Sequence, residues 1–110
     1  MFSNPTNRTP THPGEMLLEE FLGPMGVTQR ELANAIHVPY QRINDLVNGR
    51  RCATPSSALH LAKFFGNSPD FWMNLQLCWD LSFAQQSENK VIVTIHPYKY
   101  HIRTAAWKSA

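Results

Sequence analysis

The stretch 28-TQRELANAIHVPYQRINDLVNGRR-51 decides the fold. Thr28 can cap a helix with its hydroxyl, and Glu31, three residues on, can reach back to the N–H of the cap, which makes a capping box. Val27 before the cap and Leu32 at the fourth helical position are spaced to pack as a hydrophobic staple, so a helix is predicted from Gln29 to about Ile36. Pro39, with its fixed φ, stands where a second helix would begin, and Asn48-Gly49 supplies a left-handed stop. The second helix is therefore bounded at about ten residues.

On a helical wheel, Ile43, Leu46 and Val47 share one side with Pro39, while Gln41, Asn44, Asp45 and Asn48 occupy the other, flanked by Tyr40 and Arg42. Two helices joined by a turn of about three residues, the second with a face of amides and charges, follow the helix-turn-helix plan, whose second helix lies in the DNA major groove. An ordinary amphipathic hairpin with a solvated face has the same outline, and shape alone leaves both open. Residue positions weigh for the first. Gln29, Ala33, His37, Ile43 and Leu46 supply a polar opener, a small residue where the helices cross, a turn residue and two core anchors at the helix-turn-helix spacing.

The stretch resembles the Cro/C1-type (XRE) helix-turn-helix family. With HPGEMLLEEFLGPMGVTQRELA before it and NGRRCATPSSALHLAKFFGNSPDFWMNLQ after it, it is similar to the HigA/VapI antidotes of toxin–antitoxin modules. The likeness covers roughly residues 13–80, and PGEML, NGRR and SPDFWMNLQ are its most specific segments. It implies an all-α, five-helix, lambda-repressor-like domain. It also implies a homodimer on a palindromic operator, acting as antidote to a HigB-like, mRNA-cleaving toxin of the RelE type and repressing its own operon. Two positions depart from the common pattern. His37 replaces the usual glycine of a left-handed turn, which histidine tolerates with more strain. Pro39 replaces the usual Ser or Thr, so one capping oxygen is missing.

Within this frame, Thr28, Gln29, Pro39, Tyr40, Gln41, Arg42, Asn44, Asp45, Asn48, Arg50 and Arg51 form the DNA-facing set. Tyr40 and Gln41 lie in the first turn of the second helix, the part that approaches base edges, with Asn44 one turn further on. Gln41 can offer a donor and an acceptor to adenine, and Tyr40 a hydroxyl or a ring against a thymine methyl. Asp45 repels phosphate, but can hold Arg42 at i−3 or accept from cytosine N4. Arg50, Arg51, Gln29 and the first amides of the 29–36 helix suit phosphates.

The whole chain sets the bounds. At 110 residues it is one domain whose lone core is marginal, which favours dimerisation. Its 43% hydrophobic content argues for a folded protein, while its apolar runs are too short to span a bilayer. The polar opening MFSNPTNRTPTH does not read as a signal peptide, so a cytoplasmic location is expected. The formal net charge of +2 is unevenly spread: residues 28–51 carry four Arg against Glu31 and Asp45. So modest a charge suits a DNA reader only if two copies share the phosphate contacts. Cys52 and Cys78 stand apart as two thiols, and His12, His37, His60, His96 and His101 are scattered without metal-ligand spacing, reading as surface or turn residues. No metal, cofactor or catalytic set is expected, and a nuclease reading of the tail finds no paired acid and base.

Outside the central stretch, residues 1–12 read as a flexible arm in which Arg8 could follow phosphates, 13–86 as the DNA-binding and dimerisation domain, and 87–110 as an extension. Pro13 opens a first helix carrying Leu17, Leu18, Phe21 and Leu22 on one face, broken at Gly23-Pro24. Thr54-Pro55 opens another with Ala58, Leu59, Ala62 and Phe65 on one side, ended by Gly66-Asn67. After Ser68-Pro69 the last helix carries two apolar stripes: Phe71, Trp72, Leu75, Trp79 and Phe83, then Met73, Leu77, Leu81 and Ala84. One small domain covers one stripe, so Phe71, Trp72, Met73, Leu75, Leu77, Trp79, Leu81 and Phe83 form the candidate dimer interface; a fully buried central helix is the alternative. Past a polar break at 87–90, VIVTIH reads as a short strand, and the basic, aromatic tail beyond it suits nucleic acid, a toxin, a dimer edge or no function. A stand-alone transcriptional regulator is the second functional reading, because the same fold serves both. If the turn at His37 is left-handed, His37→Gly should raise stability by roughly 0.5–1 kcal/mol in chemical denaturation, and a neutral or destabilising result would exclude that backbone.

Overall fold

The computed structural model describes residues 10–98, and these form five helices and no strand. Helix α1 runs over 13–25, α2 over Gln29–Ala35, α3 over Tyr40–Val47, α4 over Pro55–Phe65 and α5 over Pro69–Ile92. The ends are set by the residues that their sequence positions announced. Thr28 Oγ1 accepts the Glu31 N–H at 3.0 Å while Glu31 Oε1 accepts the Thr28 N–H at 2.8 Å. Thr54 caps α4 through Ser57 in the same reciprocal way, with Pro55 in the first turn. Ser68 Oγ accepts the Asp70 N–H at 3.0 Å, and Pro69 follows. The turn between α2 and α3 is left-handed at His37, with φ of 59°, in line with the helix-turn-helix expectation. Pro39 is the N-cap of α3 and makes no side-chain cap bond, so α3 starts one residue later than the proline.

Two segments of α1 differ from expectation. Gly23-Pro24 does not break the helix, which continues through Met25 to Gly26 in the left-handed region. The six residues before it, Leu17–Leu22, are wound as π-helix, and the Gly23 N–H donates to the Leu18 carbonyl five residues back. The wider turn changes the hydrogen-bond register just ahead of Pro24, which has no N–H to give to the ladder. His12 is not a surface residue. It is 7% exposed, its Nδ1 accepts the Gly14 N–H at 2.9 Å as the cap of α1, and Trp79 meets the ring edge-on at 5.1 Å.

The core gathers Leu17 and Leu22 from α1, Leu32, Ala33 and Ile36 around α2, Ile43 and Leu46 from α3, Ala58, Leu61 and Ala62 from α4, and Trp72 from α5. Leu61 fills the place expected for Leu59, which is exposed: positions 58, 61, 62 and 65 keep the i, i+3, i+4, i+7 stripe. Trp72 is 0% exposed, packs among Phe21, Phe65 and Phe71, and donates Nε1–H to Asn67 Oδ1 at 3.1 Å. It therefore has no surface to give a second copy, and Phe71, Met73 and Leu75 are likewise drawn partly into this chain's core. Leu77, Leu81 and Phe83 remain exposed.

Helix α5 is what makes the molecule long. Its radius of gyration is 17.8 Å with extents of 54 × 30 × 23 Å, against about 13 Å for a compact chain of roughly 100 residues. The composition change after Gln86 is not a structural break, and the expected strand does not form among the described residues: the helix runs on to Ile92. A β-branched run has only a weak strand preference and no partner strand here, whereas a helix already formed gains one bond per added residue. The arm at 1–9 and the tail at 99–110 lie outside the described residues.

Burial holds the His12 imidazole below its ordinary pKa, against the opposing pull of the Asp80 and Glu15 carboxylates. Only the neutral ring can accept the Gly14 N–H. The unfolded chain thus takes up a proton that the folded one refuses, so this contribution to stability is complete above about pH 6.5 and is lost as pH falls below it. Urea denaturation should show stability dropping between pH 7.5 and 5.5 in the parent and less so in His12→Asn, which keeps a capping acceptor that does not titrate; equal slopes would exclude the His12 assignment.

Candidate nucleic-acid interface

Helix α3 is fixed before any of its polar residues is considered. Ile43 and Leu46 are buried beneath it, and at its carboxyl end the backbone lies directly against Gly14 of α1. A Cβ added at Gly14 would overlap the Leu46 carbonyl, so the glycine of PGEML is a contact that admits no side chain. On the far side, Gln41 and Arg42 are exposed, and Tyr40, Asn44 and Asp45 are half-buried. The loop after α3 leaves through Gly49 at φ of 76°, with the Arg50 N–H donating to the Asp45 carbonyl at 2.8 Å. It is anchored from below by Gln76 of α5, 4% exposed, whose Oε1 accepts the Ala53 N–H at 2.7 Å while its Nε2 donates to Asp80 Oδ1 at 2.9 Å.

The exposed face is internally wired. Asn44 Nδ2 donates to Gln29 Oε1 at 3.1 Å and to the Tyr40 hydroxyl oxygen at 3.2 Å, joining α2 to α3. Arg50 donates Nη2–H to Asn44 Oδ1 at 3.1 Å and Nε–H to Asp45 Oδ1 at 3.2 Å. Gln41 Nε2 donates to the same Asp45 oxygen at 2.9 Å. Asp45 thus holds Arg50 and Gln41 rather than the expected Arg42: the left-handed turn at Gly49 brings Arg50 back over the last turn of α3, which i, i+3 counting along one helix does not foresee. The Gln41 amide first, then Arg50, hold the Asp45 carboxyl below its ordinary value, outweighing its partial desolvation.

Of the residues singled out from sequence, Gln29, Tyr40, Gln41, Asn44, Asp45, Asn48 and Arg50 are drawn into this single hydrogen-bonded face. Thr28 is engaged in its capping box, Pro39 opens α3, and Arg42 and Arg51 stand exposed beside it. Sequence position alone does not single out Arg30. Its guanidinium lies 4.2 Å from the centre of the Tyr40 ring, a cation–π contact across the two helices. Nor does sequence give Gln76 a role, since along α5 it is one polar residue in a gap between apolar stripes.

Residues 18–72 match the model of the helix-turn-helix family. Over 84 residues the chain is 42% identical to virulence-associated protein I of Dichelobacter nodosus, covering 76% of this chain and 78% of that one. Over 90 residues it is 41% identical to antitoxin HigA-1 of Vibrio cholerae, covering 79% and 85%. Among solved structures the fold is similar to that of the Pseudomonas aeruginosa antitoxin HigA with the higBA promoter, with a TM-score of 0.75 and 37% identity, covering 80% of this chain and 97% of that one.

The clamp at Asp45 makes a prediction of its own. In an NMR carboxyl titration Asp45 should stay ionised below the usual aspartate range, and Gln41→Ala and Arg50→Ala should each raise its midpoint. Its contribution to stability is accordingly present above about pH 3.8 and lost as pH falls further. Unshifted midpoints in both variants would dissolve the clamp.

Proposed function

The chain belongs to the helix-turn-helix family, in its Cro/C1-type HigA/VapI branch, and from that premise we propose that it is the antitoxin of a HigBA-type module. In this reading it is a homodimeric, sequence-specific DNA-binding repressor of its own operon, and it neutralises an mRNA-cleaving, RelE-like toxin in the cytoplasm. It is a binding protein, not an enzyme. The observation that carries the DNA half is the ordered polar face of α3, backed by buried Ile43 and Leu46 and bordered by Arg30, Arg42, Arg50 and Arg51. A solved relative with its promoter has the same fold.

Tyr40 and Gln41, in the first turn of α3, approach base edges in the major groove. Arg42, Arg50, Arg51, Thr28, Gln29 and Asn48 follow the phosphates, and Pro39 sets the entry of the helix. The formal net charge of +2 per chain calls for two copies to share the counterion release. The exposed Leu77, Leu81 and Phe83 along α5 offer an apolar seam for the second copy, with Trp79 half-buried at its edge. No helix among the described residues is long and apolar enough to cross a membrane.

Gel shifts with the promoter region upstream of this chain's own gene test the DNA half. Gln41→Ala should lower discrimination at one base pair per half-site, while Arg50→Ala should weaken all sequences alike and reduce the salt slope by about one. Parental behaviour in both would remove α3 from the interface. Co-expression with the neighbouring reading frame tests the other half: a stable complex with a small basic partner is expected, and its absence would leave a stand-alone regulator.

A further inference from the structure

Asn44 occupies the middle of the exposed face of α3, where a base reader would be sought, yet its hydrogen-bonding capacity is already filled. A primary amide has two N–H donors and an oxygen with two lone pairs. Asn44 Nδ2 donates to Gln29 Oε1 at 3.1 Å and to the Tyr40 hydroxyl oxygen at 3.2 Å; its Oδ1 accepts from Arg50 Nη2 at 3.1 Å and from Asn48 Nδ2 at 3.3 Å. All four positions are taken within the chain, and the side chain is half-buried. Gln41 is in the opposite state. It is exposed and donates one N–H to Asp45 Oδ1, which leaves the other N–H and the carbonyl oxygen without a partner among the described residues.

We infer that Asn44 is a positioning residue and not a base reader: it ties Tyr40 of α3, Gln29 of α2 and Arg50 of the following loop into one unit, and sequence is read by its neighbours. The inference deepens the proposed DNA reading and rests on it. The wiring also assigns each neighbour a chemical role. The Tyr40 oxygen already accepts from Asn44, so its own O–H is the group left to offer, and it seeks a base acceptor such as thymine O4 or guanine O6. Gln41, steered by Asp45, keeps one donor and one acceptor side by side, the pattern complementary to adenine N7 and N6. Asn44 contributes by removing the freedom of Tyr40 and Arg50 before DNA arrives, so less ordering is left for binding.

Selection of bound duplexes from a random-sequence library, read by sequencing, tests this with the full chain. The parent should yield a palindromic motif. Gln41→Ala should flatten an adenine position in each half-site, and Tyr40→Phe a position whose base carries a major-groove acceptor. Asn44→Ala should flatten no position of its own: it should blur only the Tyr40 position and weaken all selected sequences in common, by roughly 3–10-fold for lost anchoring bonds. A position flattened by Asn44→Ala and left intact by both Tyr40→Phe and Gln41→Ala would overturn the inference while leaving the DNA reading in place. Gln29→Ala removes a partner of Asn44 without altering α3, and decides the matter if Asn44→Ala does not fold. It should blur the Tyr40 position in weaker form; its affinity falls in any case with the lost phosphate contact, so an unchanged motif by itself would overturn the inference. A parent with no motif at all would remove the DNA reading itself.

Discussion

The close approach of α1 and α3 at Gly14 is the constraint on which the rest depends. There the α3 backbone at Leu46 and Val47 sits where any Cβ on residue 14 would fall. The N–H of the same glycine is held by His12, whose buried ring caps α1 and leans on Trp79 of α5. One short segment, HPGEM, therefore sets the depth of α3 in the domain and links it to the last helix. The angle of α3 is set at its other end by the left-handed His37 and the fixed φ of Pro39. With both ends constrained and Ile43 and Leu46 buried between them, the exposed face has little freedom to tilt.

On that fixed helix the polar residues form a connected network. An exposed amide or guanidinium ordinarily samples many rotamers, and ordering it on contact with a partner costs about 0.5–1.5 kcal/mol per side chain. Here Asn44 and Asp45 make those choices in advance for Tyr40, Gln41 and Arg50. Asp45 also places a negative charge against Arg50 and near Arg51, which tempers attraction to phosphate in general. A carboxylate that looks out of place in a groove-facing helix becomes intelligible as an organiser of its neighbours.

The last helix divides its work along its length. Its first two turns bury Trp72 and Gln76, the first closing the aromatic core and the second holding the loop that carries Arg50 and Arg51. Beyond Asp80 almost every residue is exposed, including Leu81 and Phe83. A projecting helix with apolar side chains in water is poorly accounted for within a single copy, and this is the physical case for a twofold partner.

The sequence alone determined the local grammar. Thr28, Thr54 and Ser68 mark helix starts, Gly26, Gly49 and Gly66 mark stops, and the spacing from Gln29 to Leu46 marks a helix-turn-helix, because caps, left-handed stops and periodic burial act within a few residues of themselves. The face from Tyr40 to Asn48 was legible for the same reason. Tertiary structure decided whatever depended on neighbours distant along the chain. It buried His12 and Trp72, chose Leu61 over Leu59, gave Asp45 to Arg50, stacked Arg30 on Tyr40 and tied Gln76 to Ala53. It also carried α5 through a β-branched run, where strand preference has no force without a second strand. Periodicity reports which face of a helix is apolar, but not what stands opposite a given side chain, and on that question the roles of Asn44 and Asp45 turned.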